Sequence, residues 1–230
     1  MAEILDEHGL RNRYHVFEDR YHAGEMLSEK LEEYADRSDV CVLAIPAGGV
    51  QVGVVIAERL RAPLDVVVTR KLHVPWNREV GFGAISWDGL MFLNEPIVAA
   101  LGLTREEIDR CVEEEKEAIE KRLRKFRDDM PFPDLDGKTA IVVDDGLASG
   151  FSMLTTLRAL RQKGVGEAVV AVPTAPESAI RLIRFHADRI FCMNIRSGAI
   201  FAVADAYKLW YDLSDEEVVD ILEKSEYYSK

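Results

Sequence analysis

Cysteine is scarce in this chain: Cys41, Cys111 and Cys192, odd in number and far apart. No CxxC pair and no Cys/His ligand spacing occurs, which argues against a disulfide framework and against a zinc site. Positive charge is also short. Against 41 Asp and Glu stand 29 Lys and Arg, a formal net charge of −12. A sequence-independent nucleic-acid binder needs a basic face, so that class is disfavoured, while a local basic pocket for a small polyanion stays open. Long apolar runs are missing too. Residues 40–57 come nearest, but Pro46, Gly48, Gly49, Gln51 and Gly53 interrupt them and turn them into strand, turn and helix. The first residues are charged (Glu3, Asp6, Glu7, Arg11, Arg13) and hold no apolar signal core, so a cytoplasmic protein without a membrane partner is expected. There is no internal repeat, no low-complexity linker, no P-loop lysine motif, no GxGxxG opening a helix and no DxDx(T/V) nucleophile motif.

What is present fits a globular chain: 230 residues, 48% hydrophobic and 30% charged. The stretch around which the rest is organised is 139–153, TAIVVDDGLASGFSM. Residues 139–143 suit a strand buried on both faces. They run straight into Asp144 and Asp145, then into a turn of small residues, Gly146 to Ser152. Leu154, Leu157 and Leu160 continue at helical spacing. Ligands of parallel sheets sit beyond the carboxyl ends of the strands, where the free N–H groups and dipole of the following helix favour a phosphate. Gly146 and Gly150 allow close backbone approach, and Ser149 and Ser152 add hydroxyls. Two carboxylates would repel a bare phosphate. They make sense if they grip the hydroxyls of a sugar that carries one.

A second strand-to-helix turn has the same character. Residues 40–45 read as a strand, Pro46-Ala47-Gly48-Gly49 breaks it, and 50–60 read as a helix. Residues 64–69 form another β-branched strand ending in Arg70-Lys71, which read either as contacts to an anion or as two solvated charges after an edge strand. Residues 72–83, with Pro75, Asn77, Gly81 and Gly83, read as a loop, and Asp88-Gly89 as the turn of a short hairpin. Residues 104–127 predict a long helix: Thr104 with Glu107 makes a capping box, Ile108, Val112, Ile119, Leu123 and Phe126 form one apolar stripe, and acids precede bases as the dipole favours. Such a helix packs on the core or on a partner subunit. Further strands are expected at 167–172 and 189–193, helices at 18–36 and 177–186, and a helix capped by Ser214 and Glu217 near the end.

The pattern VVDDGLASGFS, together with AIPAGGV, resembles the signature of type I phosphoribosyltransferases, which use 5-phosphoribosyl 1-diphosphate (PRPP) with Mg2+. The resemblance covers about 40–193, with a weaker match in the tail. It implies an α/β fold: a mainly parallel central sheet with helices on both faces, a hood formed by about 194–230, and the long helix 104–127 as an insertion. The whole is expected as one domain and a homo-oligomer, a dimer. It implies transfer of 5-phosphoribose to an unidentified nucleophile, a nucleobase for preference, with diphosphate leaving.

Residue by residue, Asp144 and Asp145 would hold the ribose hydroxyls. Gly146, Ala148, Ser149, Gly150, Phe151 and Ser152 would receive the 5-phosphate. Pro46, Ala47, Gly48 and Gly49, with Arg70 and Lys71, would receive the diphosphate. His73, Asn77 and Arg78 would sit on a mobile loop that closes over PRPP and excludes water. Mg2+ would be held mainly by PRPP, with Asp144 and Asp145 as its nearest protein oxygens and no dedicated metal ligands. Phe201, Tyr207 and Trp210 are candidate stacking surfaces in the hood. Two departures matter. Related members often carry Arg where this chain has Ala47, which removes a cation from the diphosphate. Members acting on 6-oxopurines usually place Asp where this chain has Ala148, which argues against hypoxanthine or guanine. The rival expectation is a PRPP- or nucleotide-sensing regulator on the same fold, without turnover.

Overall fold

The computed structural model describes residues 1–128, 130–198 and 200–228, and for Arg78 and Glu79 the backbone alone. In order the chain forms β1 (Glu3–Asp6), α1 (Arg20–Lys30), β2 (Val40–Ala44), α2 (Gly48–Leu60), β3 (Leu64–Val66), β4 (Thr69–Val74), β5 (Asn77–Ser86) and β6 (Met91–Leu93). It continues with α3 (Glu95–Leu101), α4 (Arg105–Arg127), β7 (Thr139–Val143), α5 (Phe151–Gln162), β8 (Glu167–Pro176), α6 (Glu177–Ile183), β9 (Arg189–Arg196) and α7 (Asp215–Lys224).

Six strands make one parallel sheet in the order β1-β9-β8-β7-β2-β3. Its central strands are apolar without alternation because both faces are covered. On β7, Ile141 and Val143 pack on one side with Leu27 of α1 and Ile56 of α2. Ala140 and Val142 pack on the other with Leu157 of α5 and Ile183 of α6. The expected mainly parallel sheet with helices on both faces is therefore present. Each fully buried aliphatic side chain in these layers contributes about 1.5–3 kcal/mol.

The capping residues read from the sequence act as expected: Thr104 with Glu107 and Ser214 with Glu217 form reciprocal capping boxes. Helix α4 buries Ile108, Cys111, Val112, Ile119 and Phe126 and packs on β4, β5 and α7. Arg122 on α4 holds Asp215 at the start of α7 at 2.7 Å. All three cysteines are unpaired and buried. Among the described residues no helix is long and apolar enough to cross a membrane.

Two expectations are corrected. Residues 72–83 are not a loop: they belong to an antiparallel sheet β4-β5-β6, with Pro75 and Trp76 as the turn between β4 and β5. Burial of Thr69, Leu72 and Val74 on β4 and of Phe82, Ala84 and Ile85 on β5 holds this hairpin, and it outweighs the local signals of Pro75, Asn77 and two glycines. Strand β8 does not stop before Pro173 but runs to Pro176. Its pairing with β7 ends at Ala171, and beyond that only β9 is beside it, so a proline without an N–H is tolerated. Residues Glu3–Asp6 also form an edge strand beside β9, with Ile4 and Leu5 packed between the two acids.

Candidate active site

β2 and β7 are neighbours, with Ala44 level with Val143, and the Ile45 N–H donates to the Val143 carbonyl at 2.8 Å. The two glycine-bearing turns therefore leave the sheet side by side. The 46–49 turn leads into α2 and the 144–150 turn into α5. The N-cap residues Ala47 and Gly150 supply no side-chain cap, and on α5 only a long 3.4 Å bond from the Phe151 N–H to Ser149 Oγ stands in for one, so each helix directs N–H groups and the positive end of its dipole at the same space. Gly150 reaches the required left-handed backbone, φ 81°. The Pro46–Ala47 peptide is cis.

Between the turns lies a cavity of about 330 Å³. Asp144, Asp145 and Lys71 line it, as do Ala47 and Gly48 of the first turn. Gly146, Ala148, Ser149, Gly150 and Ser152 line it from the second. Val203, Trp210, Asp212 and Leu213 close it from the tail. The acid pair thus faces a cavity on the same rim as the 46–49 turn.

Asp145 lies directly on Gly48: a Cβ built there would stand 1.8 Å from its Oδ2. No other residue type can occupy position 48 without displacing the carboxylate. On its other side Asp145 accepts a 2.8 Å bond from Nε of Arg20, whose side chain is only 4% exposed. Arg20 also donates through Nη1 to the Tyr211 carbonyl at 2.9 Å, and its guanidinium lies 3.9 Å over the Trp210 ring. Beneath, the buried Tyr207 hydroxyl donates to the backbone carbonyl of Asp145 at 2.6 Å. Asp144 Oδ1 accepts from the Asp145 N–H at 2.8 Å. Burial pushes the Asp144 carboxyl well above the usual carboxylate range, and the neighbouring Asp145 charge adds to this. Burial raises Asp145 as well, with Arg20 pulling the other way. Two carboxylates held so close, each disfavoured as an anion, are short of cationic or hydroxyl partners.

Other residues singled out in the sequence fall elsewhere. Arg70 and Lys71 are adjacent on β4 and point to opposite faces. Lys71 lines the cavity, whereas Arg70 turns to Glu115 of α4, 2.7 Å away. Phe151 packs its ring on Phe92 at 5.4 Å. Pro46 and Gly49 do not line the cavity; Gly49 sits against the Val143 carbonyl and Asp144 backbone. His73 on β4 and Asn77 at the start of β5 are outside the lining, and the side chain of Arg78 lies outside the described residues. Of the three hood aromatics, Tyr207 is buried as a support, Phe201 packs near Arg196, and only Trp210 reaches the cavity. Arg20 was missed because it sits 125 residues from its partner, on a helix that reads as a packing element. Asp212 and Leu213 carried no local signal either.

A parallel sheet whose carboxyl edge brings an acid pair between two glycine-bearing strand-to-helix turns defines the class: an α/β protein with its cavity at the carboxyl edge of the sheet. The family model for the phosphoribosyl transferase domain matches residues 18–208, and the chain belongs to that family. The match is wider than the motifs alone, taking in Arg20 and Tyr207. A provisionally named phosphoribosyl transferase, found in two strains of Mycobacterium tuberculosis, is 36% identical over 215 residues, covering 91% of this chain and 47% of its own. The chain thus spans about half the length of those relatives. The crystal structure of TT1426 from Thermus thermophilus is similar with a TM-score of 0.74 and 31% identity, over 91% of this chain and 98% of that one.

Proposed function

We propose that this site transfers 5-phosphoribose from PRPP to a nucleophile, with a nucleobase as the preferred acceptor class, and releases diphosphate. The observation that carries the reading is the acid pair set, at one sheet edge, between two helix N-termini whose N-cap residues supply no side-chain cap. A ligand matching it has phosphate groups at both ends and a polyol between them, which is the layout of PRPP.

In this reading the amides and hydroxyls of 148–152 receive the 5-phosphate. Ala47 and Gly48, with Lys71, receive the diphosphate. Asp144 and Asp145 accept bonds from the ribose hydroxyls, and their charge favours the cationic sugar that develops as the C1–oxygen bond to diphosphate breaks. The bond from C1 to the acceptor then forms, and the acceptor loses its proton. Exclusion of water by the tail matters because such a sugar is otherwise lost to hydrolysis. Oxygen donors are what a hard divalent cation requires. Among the described residues there is no group of three or more side chains able to cage one, so the two carboxylates suit Mg2+ that arrives bound to PRPP. When present, that ion would neutralise charge on the leaving diphosphate. Ala148 leaves no carboxylate where 6-oxopurine enzymes place one, which favours a pyrimidine, adenine or a non-base acceptor.

Titration calorimetry with PRPP and Mg2+ tests the site. Wild type should bind, and the Asp144→Asn/Asp145→Asn double variant should bind more weakly by about 1–3 kcal/mol, the scale of lost charged hydrogen bonds. Equal affinity in both removes the assignment. Diphosphate release across a panel of bases separates transfer from sensing. Binding without turnover favours the sensor, for which a turn with Ala47 in place of a cation is no handicap.

A further inference from the structure

The 46–49 turn brings no charge to the cavity: its residues are Pro, Ala, Gly and Gly. The charges that line the cavity are those of Asp144, Asp145 and Asp212 against Lys71 and Arg20. Without Arg20, the single cation Lys71 would face three carboxylates, and a polyanion would meet a net negative lining relieved only by Lys71 and backbone amides. Arg20 lies against this turn. Its Nε would be 2.8 Å from a Cβ on Gly48. It reaches there from the first turn of α1, an element outside both glycine turns. Asp19 caps that helix, accepting from the His22 N–H at 2.9 Å, and so fixes where the side chain of Arg20 starts.

We propose that Arg20 is the cation of the diphosphate subsite, supplied by α1 in place of the one absent from position 47. The inference rests on the phosphoribosyl-transfer reading above. Asp145 is the resident counter-ion of Arg20, and the Trp210 ring, 3.9 Å away, supports the guanidinium. A guanidinium has five N–H donors. One goes to Asp145 and one to the Tyr211 carbonyl, and the remainder are available to phosphate oxygens, a pairing that its planar fork suits better than an ammonium does. Diphosphate arriving beside Gly48 draws the guanidinium toward it and releases Asp145 to accept a ribose hydroxyl. One residue then links occupation of the diphosphate end to readiness of the acid that holds the sugar. Because Arg20 also covers Trp210, that ring is a support for the cation and not a stacking wall for the acceptor.

The test uses the full chain, inorganic diphosphate with and without Mg2+, and PRPP as a second ligand. Variants are Arg20→Gln, Arg20→Lys and the double variant Arg20→Gln/Ala47→Arg, with thermal unfolding recorded for each. Arg20→Gln should weaken diphosphate about 10- to 100-fold, the equivalent of one to two charged hydrogen bonds, and should flatten the salt dependence of binding. Arg20→Lys should recover part of the loss. Ala47→Arg in the Arg20→Gln background should restore affinity, since Ala47 lines the same cavity; a merely structural arginine is not replaced by a charge at a different position. Diphosphate should also change the tryptophan emission of wild type, and Trp210→Phe should abolish that change. If Arg20→Gln does not fold, the comparison of Arg20→Lys with wild type and the emission change decide. A folded Arg20→Gln or Arg20→Lys protein with wild-type affinity and salt dependence overturns the proposal, as does a loss that Ala47→Arg leaves untouched. A wild-type protein that binds neither diphosphate nor PRPP overturns the function proposed for the site, a different result.

Discussion

Replacing Asp144 by asparagine should make the ligand-free protein more stable while weakening its hold on PRPP. The carboxylate is enclosed between β7, the 46–49 turn and its neighbour. What favours its charge is the Asp145 N–H at 2.8 Å and the more distant Lys71. What opposes it is burial first and the Asp145 charge second. Burying an ion costs several kcal/mol after relaxation, and a hydrogen bond to a charged group returns about 1.5–3 kcal/mol. About 1–3 kcal/mol of net strain is left on the ionised side chain. Asparagine keeps the size, and its Oδ1 can still accept the Asp145 N–H. For a chain of this length each kcal/mol shifts Tm by about 2–4 °C, so D144N should melt about 2–12 °C higher at pH 8. The pH dependence has a definite sign. The Asp144 pKa is raised by folding, so its contribution to stability is fully present below the unfolded value of about 3.9 and is lost as pH rises through the folded value. The advantage of D144N is therefore largest at pH 8 and disappears near pH 4. Urea unfolding at several pH values measures it. A D144N protein less stable than wild type at pH 8, or an advantage that grows on acidification, refutes the reasoning.

Two further outcomes are expected. Gly48→Ala puts a methyl where Asp145 Oδ2 now lies, 1.8 Å from the new Cβ. The carboxylate must move off Arg20, and PRPP affinity should fall by tenfold or more, about 1.4 kcal/mol, with the fold kept; calorimetry showing unchanged affinity would contradict the placement of Asp145. Arg70→Ala and Lys71→Ala should separate cleanly. Arg70 faces Glu115 and is a third exposed, so its loss should change PRPP affinity less than about twofold and cost at most about 1 kcal/mol of stability. Loss of Lys71, which lines the cavity, should weaken PRPP by about 1–3 kcal/mol. The reverse ranking in a binding titration would place the wrong cation in the site.

How much of this was legible in the chain depended on whether the signal was local. Strand β7, its acid pair and the start of α5 are consecutive, and each follows from residues within a few positions: apolar continuity, then carboxylates, then small residues and hydroxyls. The capping boxes of α4 and α7 are local in the same sense. The hairpin β4-β5 was misread for a complementary reason. Its proline, asparagine and glycines are loop signals at short range, and what overrides them is burial against α4 and α5. That burial includes the Thr69 hydroxyl against that of Thr156 at 2.9 Å, 87 residues on. The facing of Arg70 and Lys71 went with it, because only a strand sends consecutive side chains to opposite sides.

Arg20 marks the limit of such reading, and also where a physical criterion could have exposed a gap. The two glycine turns offer amides and two carboxylates but no cation, and Lys71 alone does not balance a pyrophosphorylated sugar. A site assembled from motifs only would be short of positive charge, so a cation from outside the motifs was required on electrostatic grounds. Its identity could not be deduced: several arginines precede β2, and nothing at short range distinguishes Arg20 from Arg11 or Arg13. The distinction comes from the fold. The turn after β7 and the first turn of α1 meet at one edge, and Arg20 alone of these three becomes buried there, 4% exposed, against an acid that is 15% exposed. Arg11 pairs instead with Asp6 on the edge strand. Charge balance within a cavity thus predicts that a missing partner exists, and topology selects which residue it is.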